Sequence, residues 1–301
     1  MLRMVPLPHT LWGRRFRYTR PMFVTRFAPS PTGGLHKGHA FSVMLAHDAA
    51  RAAGGRFLLR IEDTDFTRCR TEHEVAILED LAWLGLTRDG PVRRQSQHRA
   101  DYDAALAQLR EMGVLYRCFR TRKELMALAG VAPQAGDPID ARAFAGGPPD
   151  PADEAERLAA GQPFAWRLSL SAAAAHLGGF DHLDWIEEGE DPGRHTARPE
   201  ALGDMVLGRK DIGAGYVIAS VIDDAAQGVS HVIRGVDLVE TTSVQRVLQA
   251  LLGLPTPVYR HHRLLLAPDG KRLSKRDRAE TLAALRDRGV TPADLRQELF
   301  G

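Results

Sequence analysis

Two histidines three residues apart, behind a turn rich in proline and glycine, are the residues best suited to phosphate chemistry. Residues 26–40 read RFAPSPTGGLHKGHA. His36 and His39 can face the same phosphates and donate to charge building on phosphorus in a transition state. Gly33, Gly34 and Gly38 lack the Cβ atoms that would keep a nucleotide at a distance. A helix opening at His39 would add free N–H groups and a positive dipole end. A glycine loop before a helix is weak evidence alone, and a single histidine is more often a surface or satisfied core residue. The tetrapeptide H-x-G-H at a strand–helix junction is more specific. A second stretch, KRLSKRD at 271–277, lies near the other end of the chain. Its Lys275 places a point charge on a flexible stem, which suits a moving phosphoryl group. Flanked by Lys271, Arg272 and Arg276, it also reads as a solvated, nonspecific RNA-facing patch.

These residues need particular elements around them. MFVTRFA is a short alternating strand, Pro29 to Gly34 breaks it, and AFSVMLAHDAARAAG has helical spacing. RFLLRI (56–61) reads as a buried parallel strand ending in Glu62-Asp63-Thr64-Asp65. Acids at the carboxyl end of a strand are placed to hold an ammonium group. The competing reading is a solvated turn with a helix cap at Thr67 or Thr71. Residues 71–86 predict an amphipathic helix with Val75, Leu78, Leu81 and Ala82 on one side. Arg99 to Met112 predicts another, preceded by Gln95-Ser96 as loop structure without chemistry. Leu115 to Ala129 starts as a strand and ends in a short helix. The Gly-, Pro- and Ala-rich stretch 130–163 reads as an insertion, with a short helix within 150–161. Residues 164–170 predict a strand, and acidic 180–203 turns and edge strands. Met205 to Leu207, Val217 to Ile222 and Val229 to Ile233 read as strands, the second buried and ending in the acid pair Asp223-Asp224. Leu238 to Leu252 reads as a helix. Leu264 to Leu266 precedes a turn at Pro268-Asp269-Gly270. Glu280 to Phe300 gives one or two helices, Pro292 starting the second.

The chain has 301 residues, 44% of them apolar, and a net charge of +2. That suits one large or two moderate domains with a packed core, and excludes a global polyelectrolyte. Cys69 and Cys118 are its only cysteines and read as two reduced thiols of a cytoplasmic protein. No apolar run reaches the roughly 18 residues of a membrane span. Residues 1–21 carry five arginines and no acid. They read as a disordered basic leader or an over-extended start, with Met22 as the working start.

HKGH and RLSK, far apart and in this order, resemble the signature pair of class I aminoacyl-tRNA synthetases. RFAPSPTG followed by RIEDTD narrows the resemblance to the glutamyl branch, over nearly all of 22–290. The resemblance implies an α/β fold: a Rossmann-type nucleotide-binding parallel sheet, split by an inserted acceptor-type subdomain, with a short helical C-terminal tail. The expected divisions are 22–115 and 201–262 for the halves of the nucleotide-binding domain, 116–200 for the insertion, and 263–301 for the lysine loop and tail. It implies that ATP and L-glutamate condense to glutamyl-adenylate with release of pyrophosphate, and that the glutamyl group passes to a tRNA. Arg26 would hold a substrate carboxylate, with the backbone at Ala28 and the hydroxyl of Ser30 completing the cradle. Glu62 would accept from the α-ammonium, Tyr216 would line the pocket, and Arg234 would meet the side-chain carboxylate. His36, His39 and Lys275 would be the catalytic groups, and Gly33, Gly38, His39 and Lys275 the ATP-binding ones. Asp223 and Asp224 would be a pocket or ribose-side acid pair. Ser220 stands where the branch often has asparagine, which puts one substrate contact in doubt.

Magnesium would arrive on the phosphates, with no dedicated protein cage. Short relatives often carry a Cys-x-Cys pair where this chain reads Tyr116-Arg117-Cys118-Phe119-Arg120, with no later cysteine. Four ligands close a structural zinc site, so zinc is expected to be absent. Only 26 residues follow Lys275, too few for the helical domain that reads an anticodon in full-length glutamyl-tRNA synthetases. The length resembles short relatives that load glutamate onto the queuosine base in the anticodon of tRNA(Asp). A monomer is the default. The alternatives are a truncated enzyme charging a tRNA 3′ end, a small-molecule nucleotidyltransferase and a non-catalytic RNA-binding paralogue.

Overall fold

A computed structural model describes residues 22–121, 124–125, 146–210, 213–265 and 280–301. The basic leader 1–21, the turn at 268–270 and the whole lysine motif 271–277 lie outside the described residues. In chain order the first elements are β1 (Val24–Phe27), α1 (Lys37–Ala52), β2 (Arg56–Ile61), α2 (Thr71–Trp83), β3 (Arg93–Arg94) and α3 (Arg99–Glu111). Then come β4 (Leu115–Cys118), α4 (Pro151–Ala159), β5 (Ala165–Leu168), α5 (Leu170–Leu177), β6 (Asp184–Glu187), β7 (Gly193–Thr196), β8 (Val206–Arg209) and β9 (Gly213–Ala214). The chain closes with α6 (Tyr216–Ala226), β10 (His231–Gly235), α7 (Val239–Leu252), β11 (Val258–His262), α8 (Leu282–Asp287) and α9 (Pro292–Phe300).

The described strands form three sheets. One is parallel, in the order β1-β2-β3. The second runs β10-β11-β6-β7, parallel except for the antiparallel β6–β7 pair. These two abut along β1 and β10, where the Ser230 N–H donates to the Val24 carbonyl at 2.9 Å. The third sheet, β4-β5-β8-β9, is antiparallel throughout. Pairing crosses the boundary expected at residue 200: β8 and β9 extend the sheet of β4 and β5, whereas β6 joins β11.

Two sequence expectations are corrected. Val217 to Ile222 is not a strand but the middle of α6. Its near-continuous apolar run is buried whichever way the backbone turns, and periodicity cannot separate a buried strand from a buried helix. Gly215 caps the helix, so Asp223 and Asp224 stand on its last turn rather than at a strand end. On α2 the buried residues are Ile77, Asp80 and Leu81, while Val75 is 49% exposed and Ala82 faces solvent. The helix is therefore rotated from its expected face.

The tail belongs to the core. Leu282, Leu285, Leu295 and Leu299 pack with Leu35, Phe41, Met44, Phe57 and Ile77 in one apolar cluster. Thr281 and Thr291 cap α8 and α9 with their hydroxyls, and Pro292 starts the second as its sequence position indicates. Thr281 also pairs with His36 through an isolated antiparallel bridge, and the Leu282 N–H donates to the Leu35 carbonyl at 2.8 Å. The tail thus fastens directly onto the turn that precedes α1. Leu295→Ala should cost about 2–5 kcal/mol in urea denaturation, because it opens a cavity in a fully buried position. An unchanged unfolding midpoint would show the tail to be an appendage.

Candidate active site

The parallel strands deliver the site. The ends of β1, β2, β10 and β11 open on one cleft of about 510 Å³. Ligands in open α/β sheets sit at the carboxyl ends of strands because helix starts and backbone N–H groups converge there. The cleft is lined by Arg26 from β1, Ala28 and Ser30 after it, Glu62 after β2, Tyr216 from the start of α6, and Arg234 from β10. His36, Gly38 and His39 line it from the start of α1. Gly33 is not among the lining residues, and Lys275 lies outside the described residues. The chain enters that segment at Leu265, which lines the cleft, and leaves it at Glu280 beside the Thr281–His36 bridge.

The histidine pair forms a reciprocal helix cap. His36 Nδ1 accepts from the Gly38 N–H at 3.1 Å, and His39 Nδ1 accepts from the His36 N–H at 3.2 Å. Serine, threonine and glutamate usually fill these positions; here two imidazoles do, with ring centroids 3.9 Å apart. An accepting Nδ1 assigns the proton to Nε2, so each ring presents an Nε2–H donor. Two of the glycines also lie close against the protein's own side chains. A Cβ on Gly38 would lie 3.0 Å from the His36 ring, and one on Gly34 would lie 2.9 Å from the Thr281 side chain. Both glycines make room for the protein itself.

Beneath the cleft lies a buried charge cluster. Arg60 is fully buried and its guanidinium reaches Asp224 at 2.6 Å, Glu62 at 3.2 Å and Asp223 at 3.6 Å. Asp224 also takes Arg26 Nε at 3.0 Å, and Asp223 takes Arg93 Nε at 2.7 Å. Gln95 and the Tyr102 hydroxyl donate to Asp223 as well. Three arginines therefore face three carboxylates in a largely buried region. Burial works against the Arg60 charge, but Asp224, Glu62 and Asp223 outweigh it and raise its pKa. Burial also opposes the Asp224 charge, and Arg26 and Arg60 overcome it to hold that carboxyl below its ordinary value. For Glu62 burial wins over Arg60 and Arg26, so its carboxyl stands above the ordinary 4.5. Asp223 and Asp224 are anchors behind the cleft: neither lines it, which corrects their reading as a pocket or ribose-side pair. Gln95, assigned only loop structure, is part of the anchor.

Arg234 is held by neutral partners. Its Nε donates to His261 Nε2 at 3.1 Å, and its Nη2 to the Thr242 hydroxyl at 2.6 Å and the Leu238 carbonyl at 3.3 Å. Nη1 is buried and has no partner among the described residues. The Tyr259 ring lies 5.3 Å beneath the guanidinium. Ser220 is fully buried, donates to the Val217 carbonyl, accepts from Gln245 and does not line the cleft. Sequence reasoning missed Phe41, Asp237, His262 and Arg263 among the lining residues. The signal was the run RHHR at the carboxyl end of β11, the same kind of position that pointed to Glu62. No group of three or more His, Cys, Asp or Glu residues could hold a metal ion among the described residues.

A profile described as tRNA synthetases class I (E and Q), catalytic domain, matches residues 22–300. A Glutamyl-Q tRNA(Asp) synthetase of Rhodobacter capsulatus is 47% identical, over 91% of this chain and 98% of its own length. One from Nocardia farcinica is 44% identical, over 89% and 80%. A crystal structure of a glutamate tRNA ligase from Elizabethkingia meningosepticum, in complex with its amino acid, superposes with a TM-score of 0.70 at 28% identity. It covers 90% of this chain, which spans 58% of that larger protein. Arg60→Met should cost about 3–5 kcal/mol in chemical denaturation, since it leaves three carboxylates buried against two arginines. A loss under about 1 kcal/mol would mean that water already compensates the cluster.

Proposed function

Because the chain belongs to the class I tRNA synthetases of the glutamate and glutamine branch, we propose that it activates L-glutamate with ATP and transfers the glutamyl group to queuosine in the anticodon of tRNA(Asp). The observation that carries this reading is the cleft itself. It sets Arg26, Arg234 and Glu62 beside a histidine-capped helix start. Glutamate presents complementary groups: two carboxylates and one ammonium. The nearly full-length match to the Rhodobacter capsulatus protein supports the queuosine acceptor.

In this reading Arg26, the backbone at Ala28 and Ser30 receive a carboxylate of the amino acid, and Glu62 receives its ammonium. Tyr216 walls the pocket, and Arg234 takes the side-chain carboxylate through its unpartnered Nη1. Glutamine would leave that buried charge unanswered, at a cost of several kcal/mol. The α-carboxylate oxygen attacks the α-phosphorus of ATP, and pyrophosphate leaves. An acceptor hydroxyl then attacks the acyl carbon, and AMP leaves. His36 and His39 would donate from Nε2 to the phosphates, with Gly33 and Gly38 keeping the turn close and Lys275 adding a charge from the segment that begins after Leu265. These groups align and neutralise; none forms a covalent bond. Magnesium would come with the phosphates of ATP, and zinc has no part in the scheme. A cytoplasmic, monomeric enzyme suits a tRNA substrate, and no described helix is long and apolar enough to cross a membrane.

Radiolabelled glutamate, ATP and queuosine-containing tRNA(Asp) provide the test. Label should appear on queuosine and resist removal of the 3′-terminal adenosine. Label on that adenosine would instead indicate a shortened tRNA-charging enzyme. No glutamate-dependent pyrophosphate exchange would indicate a nucleotidyltransferase or a non-catalytic paralogue. Lys275→Ala and His39→Ala should each lower glutamate-dependent pyrophosphate exchange by about 10²-fold or more, as loss of a transition-state donor does. An exchange rate within threefold of wild type would remove either residue from the mechanism. Glu62 must be ionised to hold an ammonium. Since its pKa is raised, glutamate affinity should begin to fall above pH 4.5 as the solution is acidified. The fall should vanish in Glu62→Gln, whose affinity is low throughout; the same pH profile in both proteins would contradict the role.

A further inference from the structure

Three side chains on three adjacent parallel strands form a line that ends at the cleft. Arg234 on β10 and His261 on β11 are direct register partners. Glu187 on β6 sits beside Tyr259, two residues before His261. His261 Nδ1 donates to Glu187 Oε2 at 2.6 Å. Glu187 Oε1 accepts the backbone N–H groups of His261 and Gly189, both at 2.8 Å. The carboxylate is thus occupied by three donors while 3% exposed. Gly189 is required for this packing, because a Cβ there would lie 2.1 Å from the His261 carbonyl oxygen and 2.6 Å from Glu187 Oε1. With the His261 proton fixed on Nδ1, Nε2 can only accept, and it takes the Nε–H of Arg234 at 3.1 Å. Neither His261 nor Glu187 lines the cleft.

We propose that His261, locked in one tautomer by Glu187, is a positioning residue that aims Arg234 at the substrate's distal carboxylate while leaving the guanidinium charge unpaired. The inference rests on the reading of Arg234 given above. Its physical content is the contrast with Arg26. Arg26 is paired directly with the Asp224 carboxylate, whereas among the described residues Arg234 donates to an imidazole, a hydroxyl and a carbonyl. A carboxylate at position 261 would fix the guanidinium equally well but would neutralise it. The site would then accept a neutral amide as readily as a charged side chain. The imidazole transmits orientation and keeps the carboxylate one ring away. Burial, then the Arg234 charge, lower the His261 pKa and outweigh Glu187, which keeps the ring neutral.

The test is amino-acid-dependent pyrophosphate exchange by the full chain, with glutamate and glutamine compared. His261→Leu should raise the glutamate KM about tenfold or more and shrink the glutamate-to-glutamine ratio of kcat/KM by a similar factor, with the ATP KM within about twofold of wild type. His261→Gln restores an acceptor and should recover most of the ratio. Thr242→Val, isosteric and fully buried, removes the second neutral partner and should shift the same two quantities in the same direction; it decides the matter if His261→Leu does not fold. Folded variants with unchanged glutamate KM and ratio would overturn the positioning role. So would a drop in kcat alone, or equal losses toward ATP and glutamate, since those mark a structural role. Wild-type protein without glutamate-dependent exchange would overturn the reading of Arg234, and this inference with it.

Discussion

The fully buried guanidinium of Arg60 is the constraint on which the site depends. Without it, Glu62, Asp223 and Asp224 would stand close together in a region of low dielectric, and like charges there cannot all stay ionised. With it, Asp224 is ionised and can brace Arg26, and Asp223 can gather Arg93, Gln95 and Tyr102. The cluster joins β2, β3, α3 and α6, elements far apart in sequence, behind one wall of the cleft. It stabilises through balance, because removing one member costs more than the whole network contributes over an apolar core. The same balance leaves Glu62 at the cleft with a raised pKa, poised for an incoming cation.

Much of the site was legible from residue type and spacing. A strand ending in Arg26, a breaker-rich turn, two histidines at a helix start and an acid after Ile61 are all short-range patterns, and the cleft gathers them. Long-range pairing was not legible. Arg60 looked like an ordinary strand arginine, because its partners on α6 lie more than 160 residues later. The strand reading of Val217 to Ile222 hid those partners, since it is the helix that presents Asp223 and Asp224 to Arg60. The roles of Gly34 and Gly38 were invisible for a similar reason: what each avoids is a side chain whose approach depends on the folded turn and tail. His261 and Glu187 lie 74 residues apart in sequence, and only the β11–β6 pairing brings them together.

Arg26 and Arg234 are prepared in opposite ways. Arg26 comes with a carboxylate attached, so it offers directed donors with little net charge. Arg234 comes with neutral partners, so it offers charge as well as direction. Such a pair distinguishes the ends of a substrate that carries a carboxylate at each, with Glu62 marking the end that bears the ammonium. The C-terminal helices add the remaining constraint. They fasten Thr281 and Leu282 to the turn before α1, beside the histidine cap.

Charge-by-charge complementarity between this cleft and free L-glutamate is what the proposed recognition requires. Isothermal titration of the purified protein with L-glutamate, L-glutamine, glutarate and 4-aminobutyrate, at one pH near neutrality, addresses it without any catalytic step. Each analogue lacks one charged group. The predicted result is measurable binding of glutamate and a loss of about tenfold or more for every analogue. Equal affinities across the four compounds would contradict it.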